Sequence, residues 1–368
     1  MSRDTRATID PGALRHNLAL ARRSAPGSRV MAVIKANAYG HGLLPAARAL
    51  ASADAYAVSC LDEALPLREA GVEQPIVLLQ GWYEAAELAA FRRYALQPVI
   101  HSSWQIDLLD RAGSGRPLDI WLKVDSGMHR LGFAPEAVRA AYRRLRNCAA
   151  VGSIGLMTHL AAADDRTGSY TDYQLAEFAR ACDGLPGERS IANSAGVLGW
   201  PAAHGDWVRP GIMLYGASPF VDTLPERPDL RPVMTLSSRL VAINRCRAGE
   251  RIGYSGTFVC PQDMDVGIVT IGYGDGYPRH AGTGTPVLVG GRRTQLLGRV
   301  SMDMICVDLR PVPQAQIDDP VTLWGQGLPI EEVAAHSGTI AYELLCKLTG
   351  RVRFEYSELS DGETASGL

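Results

Sequence analysis

A lysine at the end of an apolar run is the residue of this sequence best suited to chemistry. The run Val30–Ile34 leads into Lys35, and Tyr39 and His41 follow within the next turn of chain. Burial at the mouth of a strand disfavours the ammonium form and lowers the pKa of a lysine below its usual ~10.4. Such an amine is a nucleophile, and its usual use is a Schiff base with an aldehyde cofactor. The alternative at this point is a strand-end lysine whose amine reaches solvent.

Further polar residues follow other apolar runs along the chain. They are Lys123 and Asp125 with Arg130 beyond them, Thr158-His159, Asn193-Ser194, and Arg209 with Gly211-Ile212. Ser194 and the backbone amides of Gly211 and Ile212 could donate hydrogen bonds to an anion such as phosphate. For Asn193-Ser194 alone, the alternative is an ordinary helix N-cap.

The elements that carry these residues alternate in a regular way. Eight short apolar runs are separated by segments with apolar residues at helical spacing; the runs are Val30–Ile34, Ala55–Ser59, Pro75–Leu79, Leu96–Ile100, Ile120–Val124, Ile154–Thr158, Ser190–Ala192 and Trp207–Val208. They lack period-two alternation, which is typical of parallel strands buried on both faces. Eight such repeats predict a (β/α)8 barrel, whose active-site residues lie at the carboxyl ends of the strands. The first run is not followed by GxGxxG, which argues against a dinucleotide-binding fold.

The pattern changes after residue 216. Residues 217–233 hold four prolines and are typical of a linker. Six β-like segments follow, with a Gly290-Gly291 turn between two of them, and one helix is predicted over about Tyr342–Leu348. We therefore predict a barrel domain over residues 1–225 and a mainly β domain over 226–368, with a polar tail after Ser360.

Composition excludes several classes of function. The chain has 368 residues, 46% of them hydrophobic and 21% charged, and a net charge of -2, which offers no field for nucleic acid or an anionic membrane. No apolar stretch is long enough to span a bilayer, and no signal peptide is visible at the N-terminus. Seven scattered cysteines without metal-ligand spacing favour a reducing cytoplasm and predict no metal site.

Several motifs together resemble the alanine racemase family. Val-Ile-Lys-Ala-Asn-Ala-Tyr-Gly-His-Gly is similar to that family's pyridoxal-phosphate attachment motif, and others follow in the family's order, among them Lys-Val-Asp-Ser-Gly-Met-His-Arg-Leu-Gly, Arg-Pro-Gly-Ile-Met-Leu-Tyr-Gly, Ile-Gly-Tyr-Ser-Gly-Thr, Gly-Tyr-Gly-Asp-Gly-Tyr-Pro-Arg and Gly-Arg-Val-Ser-Met-Asp. The resemblance implies interconversion of L- and D-alanine, for peptidoglycan or for alanine catabolism. It also implies a barrel plus a β domain in a head-to-tail homodimer whose active site is shared between chains.

The resemblance also implies roles for individual residues. Lys35 would carry the cofactor and act as one base, and Tyr254 of the partner chain would act as the other base. Two bases are needed because a planar carbanion inverts only if protons leave and arrive on opposite faces. The matching cofactor-binding positions are Lys35, Tyr39, Arg130, His159, Ser194, Arg209, Gly211, Ile212 and Tyr342. Arg209 would face the pyridine nitrogen, and a guanidinium does not surrender its proton to a pyridine.

The remaining matches concern the substrate side. Arg130, Met302 and Asp303 match substrate-binding positions. Lys123 matches a lysine that is often carbamylated in the family, the alternative being a chloride as the anion beside Arg130. Ser255 departs from the glycine of many relatives.

Other activities fit parts of the same pattern. A decarboxylase or a broad-specificity racemase on a related fold is one alternative, against which the Tyr254 motif and Arg209 argue. A non-catalytic pyridoxal-phosphate carrier is another, although a carrier has no use for a second base.

Overall fold

The first part of the chain folds into a closed parallel barrel. The computed structural model describes residues 4–113, 115–220 and 228–357. A short strand, β1 (Arg6–Ile9), comes first. The barrel strands follow in sequence order and are β2 (Arg29–Val33), β3 (Ala55–Val58), β4 (Ile76–Leu78), β5 (Leu96–Ile100), β6 (Leu118–Lys123), β7 (Val151–Met157), β8 (Arg189–Ser190) and β9 (Trp207–Val208). Pairing of Val30 in β2 with Val208 in β9 closes the ring.

Helices cover the outside of the barrel. They span Pro11–Ser24, Leu43–Ala49, Leu61–Glu69, Leu88–Arg93, Ser103–Arg111, Pro135–Asn147, Tyr170–Ala181 and Ser194–Gly199. The first begins where Asp10 accepts hydrogen bonds from the amides of Gly12 (2.7 Å) and Ala13 (3.1 Å), with a proline at its first position. The strands between these helices are buried on both faces, as their unbroken apolar sequences predicted.

The second domain is built mainly from antiparallel strands. These are β10 (Met234–Cys246), β11 (Arg251–Ile252), β12 (Phe258–Val259), β13 (Met264–Val269), β14 (Pro286–Val289), β15 (Arg292–Leu297), β16 (Ile305–Asp308), β17 (Pro320–Trp324) and β18 (Arg353–Tyr356). Gly290 and Gly291, both at positive φ, form the predicted turn between β14 and β15. The prediction of a (β/α)8 barrel followed by a mainly β domain is confirmed.

The first strand of the chain lies in the sheet of the second domain. β1 pairs antiparallel with β10, through Ala7 and Leu236, and parallel with β18, through Ala7 and Phe354. Ala7 and Ile9 are buried there. The start of the chain therefore ties the second domain to the barrel.

The second domain contains two helices, of which only one was predicted. The predicted helix over Tyr342–Leu348 is present as Ala341–Cys346, but a second helix, Ile330–His336, precedes it. The single-helix prediction was wrong, because Ile330, Val333 and Ala334 are buried at the i, i+3 and i+4 spacing of a helix, a signal that was overlooked in this short segment.

Part of the predicted linker and the C-terminal tail lie outside the described residues. Residues 221–227, which include the predicted domain boundary at 225, and residues 358–368 are not described. At the described end of the linker, Asn17 donates hydrogen bonds to the carbonyls of Leu214 (3.0 Å) and Arg231 (2.9 Å). The chain that leaves the barrel is thus fixed against the first helix. Across the described ranges, no helix is both long and apolar enough to cross a membrane.

Candidate active site

A cavity of about 800 Å³ opens at the carboxyl ends of the barrel strands. Ten of the residues singled out from the sequence line it, which are Lys35, Tyr39, Lys123, Arg130, His159, Ser194, Arg209, Gly211, Ile212 and Tyr342. Nine come from the barrel, and Tyr342 comes from the helix Ala341–Cys346 of the second domain. The barrel therefore forms most of the cavity, and the second domain contributes one part of its wall.

The chain after Lys35 forms a left-handed turn. Ala36, Asn37, Ala38 and Tyr39 all have φ between 51° and 54°. For L-residues this conformation costs roughly 1–2 kcal/mol each, and such strain is concentrated at functional sites. Gly40 ends the turn, and a Cβ there would lie 2.2 Å from the Leu345 carbonyl oxygen. The turn is thus pressed against the second domain by a glycine that no other residue could replace.

Side chains hold this turn from both ends. The Glu63 carboxylate accepts a hydrogen bond from the Ala36 amide (2.6 Å). Asn37 Oδ1 accepts from the Leu43 amide (2.8 Å), and His41 Nδ1 lies 2.9 Å from the Tyr39 carbonyl oxygen. Because a carbonyl only accepts, His41 Nδ1 carries the proton. These contacts fix the backbone that aims Lys35 and Tyr39 into the cavity.

The Lys35 amine is largely buried in a positively charged surrounding. Burial, and next the Arg130 guanidinium, lower the pKa of Lys35, whereas the Glu63 carboxylate opposes this shift. Lys123 is half-buried, and the desolvation of its amine together with the charges of Arg209 and Arg130 lowers its pKa well below the usual range. Both amines therefore have a larger neutral, nucleophilic fraction than a surface lysine.

Arg209 is buried and held in one orientation. Its guanidinium donates to Ser190 Oγ (2.6 Å) and to the carbonyls of Thr158 (2.6 Å) and Ile191 (3.2 Å). Burial lowers the pKa of Arg209 to about 10, so it stays a cation near neutral pH.

His159 lies beside this guanidinium as a neutral acceptor. Its Nδ1 is 3.4 Å from Arg209 Nη2, a donor that cannot give up its proton. Burial, then the charge of Lys123, lowers the pKa of His159 well below its usual range. The imidazole therefore accepts from Arg209 and adds no further positive charge.

Ser194, Gly211 and two tyrosines form a cradle at one end of the cavity. Ser194 Oγ accepts from the amides of Gly211 (2.9 Å) and Met213 (3.3 Å), whereas Asn193 caps the helix by accepting from Gly196 (2.9 Å). The cap is thus Asn193, and the Ser194 hydroxyl faces the cradle. A Cβ on Gly211 would lie 2.5 Å from the Tyr39 hydroxyl, so only glycine lets that phenol approach the backbone.

Aromatic packing fixes the two tyrosines of the cradle. The Tyr39 ring stacks on Tyr215 with centroids 4.6 Å apart, and the Tyr342 ring lies 6.0 Å away. Burial raises the pKa of Tyr39 and raises that of Tyr342 to about 12. Both phenols are therefore hydrogen-bond donors at neutral pH.

Three second-domain residues singled out from the sequence, unlike Tyr342, do not line this cavity in the single chain. Tyr254 lies in a short turn between β11 and β12 with 64% of its surface exposed. Met302 is 52% exposed, and Asp303 Oδ1 accepts from Arg351 Nη2 at 2.6 Å. All three are partly or largely exposed, and none is among the residues that line the described cavity.

Two residues of the site were missed in the sequence. Glu63 follows β3 as Lys35 follows β2, so the rule of polar residues after barrel strands could have found it. Cys346 lines the cavity from the second domain, but nothing near it in the sequence marks a scattered thiol.

Comparison with known proteins finds one family along nearly the whole chain. The family model described as alanine racemase, N-terminal domain, matches residues 9–219, and that described as alanine racemase, C-terminal domain, matches residues 233–356. An alanine racemase of Halorhodospira halophila is 56% identical over 366 residues, covering 99% of this chain and all of that protein. A catabolic alanine racemase of Pseudomonas putida is 52% identical, covering 94% of this chain and 97% of the relative.

Solved structures give the same result. The biosynthetic alanine racemase of Pseudomonas aeruginosa superposes with a TM-score of 0.94 at 48% identity, over 97% of this chain and all of that one. The alanine racemase of Acinetobacter baumannii gives a TM-score of 0.90 at 38% identity, over 96% of this chain and all of that one.

Proposed function

The chain belongs to the alanine racemase family and interconverts L- and D-alanine, and from that premise we propose how its residues carry out the reaction. The observation that carries the proposal is Lys35, a buried amine of lowered pKa in a cavity lined by cations and hydrogen-bond donors. We propose pyridoxal phosphate as the cofactor and Lys35 as its attachment point.

The cradle and the cavity fit this cofactor. The phenols of Tyr39 and Tyr342 and the Ser194 hydroxyl together suit a phosphate, and the lack of a Cβ on Gly211 leaves room for the Tyr39 phenol. Arg209, held by three acceptors, suits the pyridine nitrogen at the other side of the ring, with His159 fixing its orientation. Arg130 suits the cofactor's phenolic oxygen and a substrate carboxylate.

When bound, pyridoxal phosphate withdraws electrons from the α-carbon of alanine and so acidifies its hydrogen. The Lys35 Nζ removes or returns that proton on one face. Arg209 stays protonated and leaves the pyridine nitrogen without a proton, which keeps electron withdrawal moderate and limits side reactions.

The second face needs a base from another chain. We propose that Tyr254 of a partner subunit supplies it, with Met302 and Asp303 of the same partner beside the substrate, in a head-to-tail homodimer. The exposure of Tyr254 and Met302 in the single chain supports this, because both present large apolar surface to solvent. The exposed turn that carries Tyr254 can then reach the partner's cavity.

We further propose that Lys123 is carbamylated. The neutral form of its amine, which the lowered pKa favours, adds carbon dioxide and releases a proton, and the product anion would lie among Arg130 and Arg209. The carbamate is an anion, so the site becomes less positive than it is with the amine.

Seven free cysteines, among the residues described, support a reducing cytoplasm as the location. The domains proposed are residues 1–225 and 226–368, with β1 contributed to the second domain's sheet.

Borohydride reduction tests the attachment point directly. The chain has three lysines, Lys35, Lys123 and Lys347, so peptide mass spectrometry has few sites to separate. We expect the pyridoxyl group on Lys35, and we expect Lys35→Ala to abolish racemisation measured by circular dichroism. Lys347→Ala, which removes an exposed amine paired with Glu343, is the matched control and should stay active. Pyridoxyl on another lysine, or full activity of Lys35→Ala, would refute the proposal.

A further inference from the structure

Glu63 joins the ends of two neighbouring barrel strands at the active site. It lies in the first turn of the helix Leu61–Glu69 and is partly buried. One carboxylate oxygen accepts from the Ala36 amide (2.6 Å), just after β2, and the other accepts from the Ser59 amide (2.7 Å), just after β3. Both carboxylate oxygens therefore accept hydrogen bonds from backbone amides just after barrel strands.

The Ala36 amide is the first donor after Lys35 and begins the left-handed turn. Hydrogen bonds to a carboxylate are shorter and stronger than those to a neutral acceptor. Glu63 therefore stabilises the strained conformation at the residue next to Lys35, and it does so from a neighbouring element rather than from the turn itself.

The charge of Glu63 also acts on Lys35. The charges of Arg130 and Arg209 lower the pKa of Lys35, whereas Glu63 and, less strongly, Cys346 raise it and so favour the ammonium form. Besides Lys35, the groups on which the charge of Glu63 acts are Cys60, Tyr83 and Tyr215.

We propose that Glu63 is a positioning residue of the racemase, which clamps the backbone beside Lys35 to the end of β3. This inference rests on the proposed role of Lys35 as the cofactor-bearing base. Glu63 acts on the reaction through Lys35 and does not touch the substrate.

Glu63→Gln tests the inference in the cofactor-loaded enzyme. The amide keeps one acceptor but turns a donor toward the other backbone N–H and removes the charge. We expect pyridoxal phosphate to be retained about tenfold more weakly in a titration after dialysis, as loss of a charged hydrogen bond implies. We also expect the limb of the kcat pH profile due to Lys35 to move to lower pH, because the carboxylate that favoured the ammonium is gone.

Asp119→Asn is the matched control. Asp119 accepts from the Ser153 amide (3.0 Å) and hydroxyl (2.6 Å) at the amino end of β6, so this variant removes a carboxylate from backbone at the opposite end of the barrel. It should leave cofactor retention and the pH limb as in the wild type. If Glu63→Gln does not fold, Glu63→Asp keeps the charge but shortens the reach, and it should weaken retention without moving the pH limb.

The outcomes separate this inference from the proposed function. Wild-type enzyme without pyridoxyl on Lys35 after borohydride would overturn both. A second outcome would overturn the positioning role alone. In it, the wild type carries pyridoxyl on Lys35, and Glu63→Gln retains the cofactor within twofold of the wild type and shows the same pH limb within error. Equal effects of Glu63→Gln and Asp119→Asn would overturn it as well, since only general stability would then be involved.

Discussion

Four cationic side chains share the cavity, which are Lys35, Lys123, Arg130 and Arg209. Their mutual repulsion adds to burial in lowering the pKa values of Lys35 and Lys123. The same excess of positive charge is what a phosphate and a carboxylate need on entry. One arrangement therefore attracts the anionic ligands and keeps the two amines reactive before those ligands arrive.

A test of the second base must respect the symmetry of the reaction. Enantiomers have equal free energies, so kcat/KM is the same in both directions for any variant. We therefore expect Tyr254→Phe to lower this shared value and to leave an asymmetric exchange: the α-hydrogen of one enantiomer, which Lys35 removes, should still exchange with deuterated water without inversion. Proton NMR measures the loss of the α-hydrogen signal of each enantiomer.

Tyr173→Phe, at an exposed tyrosine on the helix Tyr170–Ala181, is the control. Equal exchange from both enantiomers in Tyr254→Phe would contradict the two-base scheme.

His41 makes stability depend on pH. It is fully buried, stacks on Tyr215 (4.6 Å), and its Nε2 has no partner among the described groups. Burial lowers its pKa from 6.5 to about 4. Between these values the unfolded chain binds more protons than the folded one, so stability falls as the pH is lowered from 6.5 to 4, by about 3 kcal/mol for this group.

We therefore expect His41→Gln to lose less stability over that pH range than the wild type does. Urea unfolding at several pH values between 4 and 7.5 measures the difference. His336→Gln, at an exposed histidine that ends the helix Ile330–His336, should follow the wild-type pH dependence. An unchanged pH dependence in His41→Gln would mean that His41 does not titrate below its ordinary range.

At the scale of elements, the sequence predicts what is repeated and misses what depends on tertiary contact. The apolar runs locate all eight barrel strands, for example Ile120–Val124 within one residue of the carboxyl end of β6, and so bring Lys35, Lys123 and Arg209 to one rim. The left-handed turn was not predicted, because alanine and tyrosine have no local preference for positive φ and Asn37 alone is a weak signal. The turn is held by Glu63 and by the close approach of Gly40 to Leu345, and both Glu63 and Leu345 are distant in sequence from residues 36–39.

The turn predicts an inverted effect of glycine. Ala36 is exposed, so Ala36→Gly removes little packing; it relieves a left-handed cost of about 1–2 kcal/mol and adds a chain-entropy cost of about 0.5–1 kcal/mol. We expect a stabilisation of roughly 0.5–1 kcal/mol in urea unfolding. Ala140→Gly, at an exposed position of the right-handed helix Pro135–Asn147, should instead destabilise by about 1 kcal/mol. Destabilisation by both variants would contradict the left-handed geometry.

At the scale of the whole molecule, strands from the beginning and the end of the described chain pair with each other, and no local sequence pattern predicts this pairing. β1 pairs with β10 and β18, whose residues lie more than 220 positions later, and its four residues Arg6–Ile9 are too few to stand out in the sequence. The exposed turn at Tyr254 presents a similar difficulty, but between chains. Its sequence identifies the residue, but in the homodimer proposed above the cavity that it completes belongs to another copy.

A shared active site makes two inactive variants complement each other. In a hybrid dimer of Lys35→Ala with Tyr254→Phe, one site combines Lys35 and Tyr254 from different chains and is intact, while the other lacks both. Random pairing makes half of the dimers hybrid, so the mixture should recover about a quarter of wild-type activity. Co-expression with two affinity tags isolates the hybrid for the racemisation assay. Lys35→Ala paired with the double variant has no intact site and should stay inactive; a hybrid no more active than its parents would mean that each chain carries its own complete site.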